Sequence, residues 1–370
     1  MFAQPTDPAL RKIEKKLEAG KRLDAEDGNH LYRTHDLLGL GVLAHGARLA
    51  ANGRKAYYVY NQHINYTNIC KNLCRFCAFG READREGAYF MTLDDVEAAL
   101  RCREAEPITE IHVVGGVHPD LPADYYFDLV RRIKKVRPHA TVKAFTAVEI
   151  HHLAKLTGST LADTFRRLKE CGLEAMPGGG AEVFSPRIQE ELFPRKIGAD
   201  EWLEVMREAH RAGIRTNATM LYGHVETVEE RVEHFLRLRA LQDEVEGFMA
   251  FVPLAFHSKN TRLSHLPPTT GYDDLKTVAV ARLLLDNFPH IKAYWVMLGL
   301  KLAQVALSFG ADDMDGTIVE EKISHTAGAE SPKGVSRSLL RGLIEEAGFE
   351  PVERDAFYGS VEGSAHAAHA

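Results

Sequence analysis

Residues 63–80 read HINYTNICKNLCRFCAFG, and they hold three of the chain's five cysteines, Cys70, Cys74 and Cys77. The thiols are spaced C-x3-C-x2-C, and the run stops at three. A tetrahedral zinc ion takes four ligands, and so does an electron-transfer iron–sulfur cluster. Three thiolates at this spacing can wrap three irons of a [4Fe–4S] cube, which leaves one iron without a protein ligand. Open coordination is what separates a catalytic metal from a structural one. The other two cysteines, Cys102 and Cys171, fall in predicted outer helices, where a cysteine is usually a small buried hydrophobe. His63, on the strand before the loop, is the alternative fourth ligand, in a Cys3His zinc site.

Working outward from this loop, the chain alternates short apolar strands with helix-length stretches. Strands are predicted at 57–67 (YYVYNQHINYT), 110–116, 140–146, 172–179, 213–223, 247–256, 291–299 and 314–319. Segments such as LDDVEAALRCREAE and ADEWLEVMREAHRAG supply helices between them. Eight strand–helix units predict a parallel α/β fold, a (β/α)8 TIM-type barrel, over the roughly 250 residues such barrels need. Two helices precede it, one closed by Gly20 and one ending near Gly53. The expected organisation is an N-terminal helical extension over 1–56, the barrel over 57–334, a C-terminal helix and extended segment over 335–358, and a disordered tail over 359–370. In a parallel barrel the loops after the strands carry the chemistry, which puts the three cysteines at the catalytic mouth.

Composition narrows the class. Apolar residues are 45% and charged residues 26% of 370, with a net charge of −6, as in an ordinary soluble protein. No apolar run is long enough to span a membrane, and the N-terminus lacks the apolar core of a secretory signal. A cytoplasmic location is expected, without membrane or nucleic-acid partners. The densest basic run, RRIKKVR at 131–137, reads as the solvated face of a helix. An odd number of cysteines, three of them clustered, makes a poor disulfide framework and a good metal or redox site.

The segment CKNLCRFCAF, which includes Phe76, resembles the cluster loop of the radical S-adenosylmethionine (SAM) enzymes. The resemblance implies a [4Fe–4S] cluster on Cys70, Cys74 and Cys77. Its open iron would be chelated by SAM, and one-electron reduction would release a 5′-deoxyadenosyl radical. It also implies a one-electron donor such as flavodoxin or ferredoxin. Gly115 and Gly116, followed by Val117, resemble the glycine motif that cradles the methionine end of SAM, with Val117 where many relatives carry glutamate. ATMLYGHVE at 218–226 resembles the adenine-sheltering motif through Gly223 and Glu226. In MPGGGAEVF at 176–184, three glycines expose backbone and Glu182 is a candidate ribose acceptor.

Further candidates come from the strand ends. AFTAVEI places Thr146 and Glu149 after the third strand, and the acid-rich loop 309–329 carries Asp313, Asp315, Thr317 and His325. HINYTNIC, MPGGGAEVF, ADDMDGTIVEEKI and SHTAGA together look like the aminofutalosine synthase family, from about Lys21 to Tyr358. For that family of transferases the radical adds to the enol-ether double bond of 3-[(1-carboxyvinyl)oxy]benzoate. Rearrangement and loss of a carboxylate then give 6-amino-6-deoxyfutalosine in menaquinone biosynthesis. The alternatives are the sister cyclase, cyclic dehypoxanthine futalosine synthase, and a deazaflavin-cofactor synthase. A substrate with two carboxylates calls for donors or cations. The candidates are His63, Asn65, His257, Arg262 and the amides around Gly316 and Thr317, with Tyr66, Tyr222 and Tyr294 as packing, radical-shielding walls or hydrogen donors.

Overall fold

The computed structural model describes residues 5–318 and 320–361. Among them lie strands β1 (Lys55–Val59), β2 (Asn61–Ile64), β3 (Glu110–Val113), β4 (Thr141–Ala144) and β5 (Ala175–Met176). They are followed by β6 (Arg215–Tyr222), β7 (Phe248–Ala255), β8 (His290–Ile291), β9 (Asp313–Gly316) and β10 (Glu350–Arg354). Strands β2 to β8 lie side by side in chain order and all run parallel. Each crossover between them passes through at least one helix, as parallel neighbours require.

Strand β9 closes the ring. It bridges to the end of β8 through Lys292 and Asp313, and on its other side it pairs with β1 at Tyr57 and Val59. Thr317 then ties it to β2: its hydroxyl donates to the Asn61 carbonyl at 3.1 Å and accepts the Asn61 amide at 3.2 Å. β1 and β2 act as one bent stave, so the staves number eight and the fold is the TIM-type barrel expected. β10 adds a further parallel strand outside, paired with β1 along its whole length.

Alternation sets which side chains reach the interior. On β2, His63 points inward while Gln62 points out and donates to the Ala99 carbonyl of the helix Leu93–Arg101. Ile111, Val113, Val142, Ala144, Ala218 and Met220 are buried on the outer face, under the helices. Thr92, Thr146 and Thr227 each start a helix with a reciprocal cap from Asp95, Glu149 and Glu230, three residues on.

Several expectations are corrected. The segment 57–67 is two strands broken at Tyr60, because β1 leaves the main sheet to pair with β9 and β10. Of 291–299 only Ile291 is strand, and Trp295–Leu298 is a helical turn held by the Trp295 indole, which donates to the Gly316 carbonyl at 2.8 Å. The extension contains a third helix, Ala25–Arg33, and gives up Lys55 and Ala56 to β1. The tail is ordered at its start: Ser360 bridges to Arg354 and the Val361 amide donates to the Glu353 carbonyl, while residues 362–370 lie outside the described residues. Cys171 is buried at the end of the helix Leu161–Cys171, but Cys102 caps the helix Leu93–Arg101 and is exposed. RRIKKVR does end a helix, Ala123–Val136, with Arg131 and Arg132 paired to Asp128, Asp94 and Glu97 and with Ile133 and Val136 buried. Among the described residues no helix is long and apolar enough to cross a membrane.

Candidate active site

A cavity of about 320 Å³ opens inside the barrel, lined from the strand interiors and from the loops after them. Of the residues singled out in the sequence, His63, Phe76, Cys77, Gly115, Thr146, Glu182, His257 and Asp315 line it, and so does Tyr294. Asn65, Glu149, Gly116, Gly223, Glu226, Arg262 and Thr317 do not. Asn65 is buried and links two loops, donating to the Val114 carbonyl at 3.1 Å and accepting the Lys322 amide at 3.1 Å. Arg262 is exposed, and its amide donates to the Arg75 carbonyl.

The cysteine loop leaves β2 and is fastened to the strand end that follows β3. The Gly116 amide donates to the Thr67 carbonyl at 2.8 Å, and the Lys71 amide to the Val117 carbonyl at 2.9 Å. A Cβ on Gly116 would stand 2.3 Å from the Ile69 carbonyl oxygen, and one on Gly115 2.7 Å from the Tyr66 ring. The double glycine is therefore required where the backbone meets the cysteine loop, and Gly115 also reaches the cavity. Backbone amides already face two sulfurs: Val117 donates to Cys70 Sγ and Gly80 to Cys77 Sγ, each at 3.4 Å. Burial pushes the Cys74 thiol up to about 12 and the Cys77 thiol up as well.

Behind the glycines, Glu149 accepts four donors. Oε1 takes the Tyr66 hydroxyl at 2.7 Å and the Gly115 amide at 3.1 Å, and Oε2 takes the Thr146 amide and hydroxyl, both at 2.8 Å. Burial outweighs these donors and lifts its carboxyl to about 7. On the triple-glycine loop, Gly178 sits against β6, where a Cβ would meet Ala218 Cα at 2.6 Å, and its carbonyl accepts the Thr219 hydroxyl. Glu182 has a positive φ of 50° and is paired with Lys196, whose ammonium lies 4.2 Å from the Phe193 ring centre and 5.3 Å from that of Phe76. Glu226 folds back on its own loop, accepting the Gly223 and His224 amides and pairing with Arg231. Burial alone would raise its carboxyl; His224 and Arg231 hold it at about 2.

Comparison with known proteins fits this loop to a family. The Radical SAM superfamily profile matches residues 64–238, and the CofH/MqnC C-terminal region matches 245–366. A protein of Thermus thermophilus named aminodeoxyfutalosine synthase is 49% identical over 359 residues, covering 96% of each chain. The chain belongs to the radical SAM superfamily. A Streptomyces coelicolor protein of the same name is 42% identical, covering 94% of this chain and 93% of that one. A Methanopyrus kandleri protein named 5-amino-6-(D-ribitylamino)uracil–L-tyrosine 4-hydroxyphenyl transferase is also 42% identical, covering 86% and 88%. Methylornithine synthase shares the fold with a TM-score of 0.73 at 17% identity, covering 92% and 97% of the two chains.

A radical SAM enzyme works with a [4Fe–4S] cluster and SAM, and the residues present fit both. The three thiols border one spot: a Cβ on Gly80 would lie 3.6 Å from Cys70 Cβ and 3.8 Å from Cys77 Sγ, and Cys74 feels the charge of both neighbours. Amides aimed at the sulfurs are the usual way a protein steadies such a cluster. Among the described residues no three His, Cys, Asp or Glu side chains converge closely enough to hold a single ion.

Sequence reasoning missed an ionic layer beneath the mouth of this radical SAM barrel. His63, His112 and Lys143 are register partners on β2, β3 and β4, all facing the cavity. The rings of His63 and His112 stack at 4.5 Å, and burial together with His112 keeps His63 well below the usual histidine range. Lys143 pairs with Glu110 at 2.6 Å, and Lys292 lies 3.4 Å from Asp315. Burial would raise the Glu110 carboxyl, but Lys143 holds it well below the carboxylate range. The period-two spacing of Glu110 and His112 was the available signal.

Proposed function

We propose that this radical SAM enzyme is an aminodeoxyfutalosine synthase. It joins the adenosyl part of SAM to 3-[(1-carboxyvinyl)oxy]benzoate, with loss of one carboxylate, and yields 6-amino-6-deoxyfutalosine. The observation that carries the reading is the cysteine loop at the edge of the barrel cavity, on a chain 49% identical along its length to a protein of that name. A [4Fe–4S] cluster held by the three cysteines would supply, with bound SAM, the one-electron radical chemistry of the superfamily.

The chain's own residues bind and enclose. Cys70, Cys74 and Cys77 would hold the cluster, with the Val117 amide turned to Cys70 Sγ and the Gly80 amide to Cys77 Sγ. Gly115 and the triple-glycine loop offer backbone to SAM, and Glu182, oriented by Lys196, offers an oxygen to its ribose. Phe76, Leu221, Val252, Leu254 and Phe256 give the cavity apolar walls that keep water from a reactive carbon radical. A flavodoxin or ferredoxin supplies the electron, and the enzyme works in the cytoplasm.

The test is anaerobic. Reconstituted and reduced protein, given SAM and 3-[(1-carboxyvinyl)oxy]benzoate, is expected to form a mass joining adenosyl and benzoate moieties less one carboxyl. Release of 5′-deoxyadenosine and methionine alone would keep the radical machinery and overturn the substrate. Turnover of a ribitylaminouracil with tyrosine would favour the activity named for the Methanopyrus relative.

A further inference from the structure

Lys292 is a buried lysine whose ammonium acts on three carboxylates, Asp315, Asp313 and Glu110, and among the described residues donates a side-chain hydrogen bond to none of them. It lies just past β8 on the cavity wall, 3% exposed, and its charged neighbour Asp315 stands at 3.4 Å without a hydrogen bond between them. Lys143, by contrast, is engaged by Glu110 at 2.6 Å, with both side chains 2% exposed. An ammonium carries three donors, and leaving them unmet in a dry interior is costly. A polar side chain buried, loosely paired and turned to a cavity points to a ligand oxygen. One stave away across β9, His63 presents a ring with no hydrogen-bond partner among the described residues, stacked on His112 rather than bonded.

Resting on the function proposed above, we infer that Lys292, flanked by His63, is the anchor for the ring carboxylate of the substrate. Two arguments choose that carboxylate over the enol-ether one. The layer lies on the strands, whereas the cysteines lie in the loop beyond β2, so a substrate whose vinyl end meets SAM directs its ring downward to the layer. The enol-ether carboxylate must leave, and an ammonium that stabilises its charge in a low-dielectric site would hold it back. The ring carboxylate persists through the reaction and can be gripped throughout. Asp315 orients Lys292 while donors remain for the ligand.

The experiment uses the reconstituted holoenzyme with SAM, and compares wild type, Lys292→Met, and Lys292→Met with Asp315→Asn. The double variant removes the carboxylate that the single one orphans, so that a folding defect in the single variant leaves the test intact. The expected result is a KM for 3-[(1-carboxyvinyl)oxy]benzoate raised about 10- to 100-fold in both variants. Turnover of 2-phenoxyacrylate, which lacks the ring carboxylate, should be equal in all three, as should SAM cleavage without substrate. Calorimetry with 3-methoxybenzoate reads the subsite without turnover: wild type binds it and the variants lose it. The inference is overturned if the variants match wild type in KM and in 3-methoxybenzoate binding, or weaken 2-phenoxyacrylate as much as the full substrate. Wild type that binds 3-methoxybenzoate through Lys292 but makes no adduct would overturn the proposed function and leave the anion subsite standing.

Discussion

The Tyr66 hydroxyl donates to Glu149 Oε1 at 2.7 Å, and the same oxygen receives the Gly115 amide at 3.1 Å. One buried carboxylate thereby joins the stave that leads into the cysteine loop, the glycines after β3 and the helix Ala147–Thr157. The Tyr66 ring also blocks any Cβ at Gly115. Glu149 was a candidate catalytic residue from sequence; in the structure it braces the residues that reach the cavity.

Tyr66→Phe keeps the ring packed among Tyr125, Tyr126 and Phe145 and deletes one donor to a buried carboxylate. A loss of about 1–3 kcal/mol is expected. Thermal unfolding at pH 8 checks it, with iron content measured in parallel. A variant as stable as wild type would mean that Glu149 is satisfied without Tyr66.

Glu149 also sets a pH dependence. Its carboxyl is lifted from 4.5 to about 7 by burial, so the folded state holds a proton that the unfolded chain has released. Stability contributed by this group is therefore greatest below about 4.5 and is lost as pH rises through about 7, by about 3 kcal/mol in total. Glu149→Gln cannot ionise, and its melting temperature should fall less than that of wild type between pH 5 and 8. Parallel curves for the two proteins would rule the effect out.

Replacing Cys70, Cys74 or Cys77 by Ala should abolish the cluster's visible absorption and all SAM cleavage. Cys102→Ala should change neither, since Cys102 is exposed at a helix end and its thiol donates to the Ala99 carbonyl. Cys171→Ala should cost about 1 kcal/mol of stability from lost burial and leave the cluster intact. Loss of the cluster in Cys102→Ala would overturn the open-corner reading.

What could be read in the sequence was what repeats or what is chemically rare. The strand–helix rhythm gave the barrel, and three thiols in eight residues gave the metal loop. The break at Tyr60 was invisible because YYVYNQHINYT is strand-like throughout, and only the late-arriving β9 and β10 decide that its first half pairs elsewhere. WVML in 295–298 is as apolar as a strand, yet the Trp295 bond to Gly316 turns it into a helix. Lys143 and Lys292 escaped for a related reason. Each is a lone lysine within an apolar run, and nothing local reports that seven other staves surround it.

Gly116 offers the sharpest test of how the fold serves the cluster. Its hypothetical Cβ meets the Ile69 carbonyl oxygen at 2.3 Å and Cys70 Cβ at 2.9 Å, so Gly116→Ala must move the backbone that carries the first thiol. Overpacking of this kind costs about 1–3 kcal/mol, and here the strain falls on the cysteine loop. Iron content and visible absorption after reconstitution should drop several-fold. Gly46→Ala is the control: it lies exposed within the helix Leu37–Asn52 with nothing within 4 Å of a new Cβ, and it should gain about 0.5–1 kcal/mol from helix propensity. Equal cluster loading in both variants would mean that the glycine's close approach to the loop has no bearing on the metal site.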